Sequence, residues 1–162
     1  MKTLYLVRHA KSSWGDPDLP DHDRPLNERG LQDVATMGKR LAQRGAKPDV
    51  ILTSTAVRAL TTAEHIAKAL DLKRKHVVVN ERLYAAPASE LLSAIQELDD
   101  KLKRVMLVAH NPGLTELAHG FSSEINHMPT CAVAELRFAA TSWSDIGKVG
   151  PTQVALDHPK KE

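Results

Sequence analysis

Three short stretches of this chain are apolar without a break: Leu4–Val7, Val50–Leu52 and Val105–Ala109. A strand with one wet face alternates apolar and polar residues, whereas a strand covered on both faces does not. Runs this short and uniform belong in the middle of a sheet with helices on either side. Segments of helical period lie between them. The chain therefore reads as an α/β domain of three layers (α/β/α) around a mostly parallel central sheet.

The expected strands are Thr3–Val7, Val50–Thr53, Val77–Val79, Val105–Ala109 and Val133–Phe138. A helix is expected over Glu28–Arg44, with Asn27 as its cap and Gly45 as its stop, and apolar residues at Leu31, Val34, Ala35, Leu41 and Ala42. A second runs from Ala56 to Leu70, with Ser54 or Thr55 available as caps. A third starts at Ser89 and carries Leu91, Leu92, Ile95 and Leu98; a fourth, shorter one follows Pro112 and ends before Gly120. The stretch "SSWGDPDLPDHDRP" (12–25) holds three prolines, a glycine and four aspartates and reads as a surface loop. Residues 139–149 carry no clear period. The 162 residues suit a single domain over 1–162, with fraying expected over 158–162.

Composition matters mainly for what it excludes. The 22 basic residues nearly balance the 20 acidic ones, which argues against a nucleic-acid or membrane partner. Cys131 is the only cysteine, so there is no disulfide framework, and it reads as a small core residue. The start lacks the apolar core of a signal peptide, and no run reaches the ~18 residues of a membrane span. A cytoplasmic monomer is the expectation.

Ligands in parallel sheets bind beyond the carboxyl ends of the strands, against the amino ends of the helices that follow. Three polar features fall there. Arg8 and His9 follow the first strand, "TSTAVRALTTAE" puts Arg58 in the first turn after the second, and "VAHNPG" ends the fourth on His110 and Asn111. Each alone is unremarkable: an Arg-His pair can be an exposed strand end, and "HNPG" is good turn chemistry. Together they bring two arginines and two histidines to one edge of the sheet, next to helix amino termini that favour anions. A phosphoryl group is the matching ligand, because guanidinium forks fit its oxygens.

"LVRHAKS", "LNERGLQDV", "TSTAVRALTTAE" and "VAHNPG" together resemble the histidine phosphatase superfamily, which has the phosphoglycerate-mutase-like fold. The compact size and "RHAKSSW" resemble its SixA-like phosphohistidine phosphatase branch, over residues 3 to about 120. The resemblance implies His9 as the phospho-accepting nucleophile, with Arg8, Arg58 and a protonated His110 as the phosphate pocket. It also implies two in-line transfers through a phosphohistidine intermediate, with no metal or other cofactor. In mutase relatives the general acid is a glutamate in an "NER" stretch, which makes Glu81 of "VNERLYA" the candidate here, although a role as a loop cap or partner of Arg82 is open. Asn111 is a further candidate for the pocket. Ser54 could bind phosphate or cap its helix, and Lys11 and Ser12 could contact the phosphate or a partner's acidic surface, or simply begin a solvated loop.

The chain departs from the mutases at Gly15, where they carry asparagine, and it has no room for their lid insertions. An open pocket suits a phosphorylated side chain on a protein, so the expected substrate is a phosphohistidine-containing signalling protein. A small phosphate monoester or nucleotide is the alternative, and a non-catalytic phosphate-binding module is a third reading. His22, His65, His76, His119, His127 and His158 lack metal-ligand spacing, and "DPDLPDHD" lacks the pattern of a calcium loop. Trp14 and Trp143 are expected to pack, with Trp14 near enough to line the rim of the site.

Overall fold

The computed structural model describes residues 1–161. Six strands form one sheet in the order β3-β2-β4-β1-β5-β6. They are β1 (Lys2–Arg8), β2 (Val50–Thr53), β3 (Val77–Val79), β4 (Arg104–Ala109), β5 (Val133–Phe138) and β6 (Gln153–Asp157). The four helices are α1 (Glu28–Gln43), α2 (Val57–Ala69), α3 (Ala88–Gln96) and α4 (Gly113–Phe121). Strands β1 to β4 pair in parallel, β5 runs antiparallel to β1, and β6 antiparallel to β5. The sheet is the expected mixed, mostly parallel one between two helical layers.

Strand periodicity explains the two cores. Along β1, Leu4 and Leu6 join the cluster that holds Leu91, Ile95, Leu114 and Leu117 of α3 and α4. Tyr5 and Val7 join the one that holds Val34, Met37 and Leu41 of α1 and Ala63 and Ile66 of α2. β4 divides in the same way, with Leu107 on the first side and Met106 and Val108 on the second. Unbroken apolar runs are thus strands whose two faces are both buried.

Connection handedness explains which helix lies where. The chain moves one way across the sheet from β1 to β2 to β3, then reverses from β3 to β4 to β5. Right-handed crossovers between the parallel strands place α1 and α2 on one face and α3 on the other, and α4 packs beside α3. The chain leaves β1 in one direction and β4 in the other, and these strands are neighbours. A crevice must open between their carboxyl ends.

The sequence reading missed three things. β6 lies in a stretch assigned to no element, and Arg40 of α1 and Arg44 just beyond its end pair with its last residue, Asp157, at 3.0 and 2.9 Å. The chain expected to fray from His158 carries further contacts: Arg40 donates to the His158 carbonyl, and Lys161 bonds back to the carbonyls of Leu156 and His158. Glu162 lies outside the described residues. Residues 139–149, which carry no clear period, make a 3-10 turn at Trp143–Asp145; Trp143 itself is fully buried, as expected.

Candidate active site

Register brings the two histidines together. Arg8 of β1 lies opposite Ala109 of β4, so the next residues, His9 and His110, emerge side by side. Their ring centroids are 5.0 Å apart. The backbone N–H of His9 donates to the Ala109 carbonyl at 3.2 Å, which fixes this exit geometry. On the other flank of β4, Ser54 follows β2, and its Oγ lies 2.6 Å from His110 Nε2.

Glycines let the neighbouring elements close on this edge. A Cβ on Gly30 of α1 would come 2.2 Å from the Lys11 carbonyl, and one on Gly113 of α4 would come 2.1 Å from the Ala86 carbonyl. Only glycine permits either approach. This is the physical content of the glycine in "NERG" and of the one that ends "HNPG".

His9 is a buried ring in a single tautomer. Its Nδ1 lies 2.7 Å from the Ala10 carbonyl, which can only accept, so Nδ1 carries the proton and Nε2 keeps its lone pair. Burial, with help from Arg58, Arg8 and Arg24, pushes its pKa down to about 4 against that hydrogen bond. The ring is neutral at pH 7, the state a nitrogen nucleophile needs. His110 is held lower, at about 3, by burial first and then by His9 and Arg58. Desolvation beside the arginines disfavours a proton on this ring, so the protonated His110 that the resemblance implies needs an anion beside it.

Around the two rings stand three guanidinium groups. Arg8 donates through Nη1 to the Met128 carbonyl at 3.2 Å, and Arg58 uses Nη1 and Nη2 on the backbone oxygen and carboxylate of Asp21, at 2.7 and 3.0 Å. The third, Arg24, comes from the loop that was expected to lie wholly on the surface. It is only 6 % exposed, under the ring of Trp14, whose centroid is 3.4 Å from its guanidinium carbon. Trp14, expected to pack, is instead 77 % exposed, with its ring over Arg24. Five buried side-chain nitrogens among the described residues lack a partner: Arg8 Nε, Arg24 Nε and Nη1, Arg58 Nε and His110 Nδ1. All five belong to this one cluster. Buried donors are otherwise almost always satisfied, so such a concentration marks a site built for an acceptor-rich anion.

The other candidates divide. Ser54 both accepts from the Ala56 N–H at 3.3 Å and holds His110, so its hydroxyl serves the site through His110. Asn111 belongs to the frame: its amide donates to the Met128 carbonyl, and its oxygen accepts from the Thr115 N–H and hydroxyl, at 2.8–3.1 Å. Both its polar atoms are committed, and one steadies the same carbonyl that orients Arg8. Ser12 is buried at a bridge to Leu26, and Lys11 is exposed along a groove with Arg29 and Lys160, away from the His9–His110 pair. Glu81 is exposed on a 3-10 turn, with no side-chain hydrogen bond or ion pair among the described residues.

Three contributors were invisible in sequence. Arg24, Asp21 and Tyr84 come from loops and single turns, where no period predicts facing. Tyr84 stands edge-on to His110 at 5.6 Å and to His22 at 4.9 Å, and its hydroxyl donates to Asp21 at 2.7 Å. The prolines and aspartates of 12–25 signal a loop but not that it folds back over the strand ends.

The family model described as histidine phosphatase superfamily (branch 1) matches residues 4–85. The chain belongs to the histidine phosphatase superfamily. It is 31% identical to an uncharacterised chloroplastic protein of Arabidopsis thaliana, over 89% of this chain and 70% of that one. The crystal structure assigned as the phosphohistidine phosphatase SixA of Agrobacterium tumefaciens is 31% identical and superposes with a TM-score of 0.76, covering 83% of this chain and 90% of that one. A 2,3-bisphosphoglycerate-dependent phosphoglycerate mutase of Bartonella bacilliformis is 39% identical, but over only 51% of this chain and 43% of its own length. Membership brings phosphatase chemistry with a histidine nucleophile. No group of three or more His, Cys, Asp or Glu side chains among the described residues is placed to hold a metal ion, and no helix is long and apolar enough to cross a membrane.

Proposed function

We propose that this superfamily member uses His9 as its nucleophile and removes phosphate from phosphohistidine carried on a signalling phosphotransfer protein. The observation that carries the reading is the set of four unpartnered buried guanidinium donors, with the unpartnered His110 Nδ1, around a histidine whose Nε2 lone pair is free. The lone pair attacks phosphorus while Arg8, Arg24 and Arg58 bind the non-bridging oxygens, and the leaving group departs on the opposite side. Water then attacks the His9 phosphoryl group in a second in-line step, releasing phosphate and returning His9 to its starting state. Two negative charges on the phosphoryl group offset the desolvation that keeps His110 neutral. His110 can then take up a proton and stabilise the oxygens in the transition state. Three guanidiniums supply the charge that a divalent ion would otherwise bring.

Leaving-group chemistry favours phosphohistidine over an ester. An alkoxide leaving group needs a proton donor, worth ~10²–10⁴-fold. The carboxyl at the mouth of the site, Asp21, is held below its usual range by hydrogen bonds from Tyr84 and Arg58, so it is ionised and has no proton to give. Glu81 is the group that could serve an ester, because it occupies the "NER" position and is unengaged. An imidazole already protonated on its second nitrogen leaves without either.

The test is a substrate panel: a phosphohistidine-bearing phosphotransfer domain against sugar phosphates, nucleotides and phosphoglycerates. Turnover of the phosphorylated domain is expected to exceed that of every ester in kcat/KM. Denatured enzyme quenched in turnover should carry acid-labile, base-stable phosphate on His9. Hydrolysis confined to small esters overturns the substrate, and phosphate trapped on a residue other than His9 overturns the nucleophile.

A further inference from the structure

The mechanism accounts for every charged group in the pocket except Asp21. Among the described residues it provides the one carboxylate paired with the pocket's guanidiniums, bonding Arg58 and lying 3.4 Å from Arg24 Nε. Placing an acid beside a phosphate site weakens dianion binding, so it needs a compensating purpose.

Its position suggests that purpose. Displacement in line with His9 Nε2 sends the leaving group away from the buried ring, towards the open side of the pocket. Arg58 is 8% exposed in its side chain, but the Asp21 side chain bonded to it is 54% exposed. Asp21 therefore stands on the solvent side of Arg58, at the mouth through which a leaving group can pass. Its carboxylate is held rather than free, since Oδ2 accepts from Arg58 at 3.0 Å and from the Tyr84 hydroxyl at 2.7 Å. Oδ1 has only the long contact to Arg24 and keeps acceptor capacity.

We infer that Asp21 reads the leaving group: its carboxylate accepts a hydrogen bond from the second ring N–H of a bound phosphohistidine and repels substrates that carry a carboxylate on the leaving side. This rests on the phosphohistidine reading and deepens it. In the step itself, the His9 Nε2 lone pair forms the new N–P bond. The electron pair of the breaking P–N bond returns to the substrate ring, and the proton on the other ring nitrogen stays where Asp21 holds it. The ring leaves as neutral imidazole, so charge and protons balance with no outside acid. A carboxylate hydrogen-bonded to that N–H stabilises the protonated form of the substrate, the form that leaves readily. A phosphoglycerate, whose carboxylate would face Asp21, meets like charge in a site partly shielded from water.

Three substrates separate this role from the holding of Arg58: phosphoimidazole, 3-phosphoglycerate and p-nitrophenyl phosphate. The last has a leaving group that needs no proton, so it measures whatever Asp21 does through Arg58. Relative to it, D21N is expected to lower kcat/KM for phosphoimidazole about tenfold and to raise that for 3-phosphoglycerate by a similar factor. D21E should restore the wild-type order, and D21S substitutes if D21N does not fold. One common factor on all three substrates overturns this inference and leaves the phosphohistidine reading standing. Wild-type enzyme that hydrolyses both esters but not phosphoimidazole overturns both.

Discussion

Strand β1 carries a cation at each end, Lys2 buried and Arg8 half-buried, and the fold treats the two differently. Lys2 is 3% exposed, and its Nζ donates to the carbonyls of Asp100 and Leu102 at 2.6 and 2.7 Å, 5.3 Å from the centre of the Trp143 ring. Arg8, six residues on, has one bond, to the Met128 carbonyl, and a buried Nε with none. Burying a charge costs several kcal/mol unless partners replace the lost water. At the amino edge of the sheet the protein supplies them from its own backbone. At the carboxyl edge it leaves them to be supplied by a ligand. One edge is arranged for stability, and the other gives up stability for binding.

The largest effect on that contrast comes from the nucleophile. His9→Ala is expected to cut turnover by on the order of 10⁴-fold or more, while melting close to the wild-type temperature, because the neutral ring's side-chain hydrogen bond is only to the adjacent Ala10 carbonyl. A melt lowered by several degrees would mean that His9 belongs to the stabilising part of the fold and that the two edges are not distinct.

Next come the two ends of the strand, compared directly. Arg8→Met is expected to lose about 10²–10³-fold in kcat/KM, the usual cost of removing one preorganised donor, with no loss of stability in denaturant titrations. Lys2→Met should do the reverse. It removes two charge-assisted hydrogen bonds and leaves the Asp100 carbonyl without its lysine donor, while Leu102 keeps the Trp143 indole N–H; the cost is about 1–3 kcal/mol in unfolding free energy, with activity kept. Added inorganic phosphate should raise the melting temperature of wild type and of Lys2→Met but not of Arg8→Met. Equal stability losses in both variants would break the comparison.

How much of this contrast is readable in sequence depends on the element that carries each residue. Arg8, His9, Arg58 and His110 are legible because unbroken apolar runs fix the strand ends, and parallel strands share a carboxyl edge. The register that sets His9 beside His110 is not, since apolar runs do not say which strands are neighbours. Arg24, Asp21 and Tyr84 depend on how an irregular loop lies, and irregular backbone has no period to read. Asn111 misled for a related reason: its neighbour in sequence is His110, but its partners Met128 and Thr115 are fixed only by the fold. β6 was hidden because its neighbours in sequence read as loop and tail. Lys2 carries no signal in sequence, because its acceptors are carbonyls about a hundred residues away.

Acid stability sharpens the same contrast at smaller amplitude. An unfolded histidine titrates near 6.5, whereas His9 and His110 are pushed down to about 4 and about 3. Between pH 6.5 and 4 the unfolded chain therefore binds more protons than the folded one. Stability is fully present above 6.5 and is lost as pH falls through that window, at up to ~1.4 kcal/mol per pH unit for each histidine. His9→Gln should roughly halve the part of the slope between pH 6 and 4.5 that histidines contribute, as measured by urea titrations at each pH. An unchanged slope would mean that His9 is already charged in the native protein, which would remove it as a neutral nucleophile.

The smallest expected effect tests whether the carboxyl edge is shaped by its rim. Trp14 stands mostly in water, yet its ring covers Arg24, whose Nε and Nη1 are buried without partners. A guanidinium with no full hydrogen-bond partner on those atoms is steadied largely by the ring above it, an interaction of about 0.5–2 kcal/mol. Trp14→Ala admits water to Arg24 and lets it move, so its donors must be stripped of water and realigned when phosphate binds. The cost falls on binding in the ground and transition states alike, so KM is expected to rise about two- to tenfold with kcat nearly unchanged. Trp14→Phe, which keeps an aromatic face, should recover most of the loss. A fall in kcat at constant KM would place Trp14 against the reacting group rather than over Arg24. No change in either constant would mean that Arg24 is held by Asp21 alone, and the rim would then be Asp21 without Trp14.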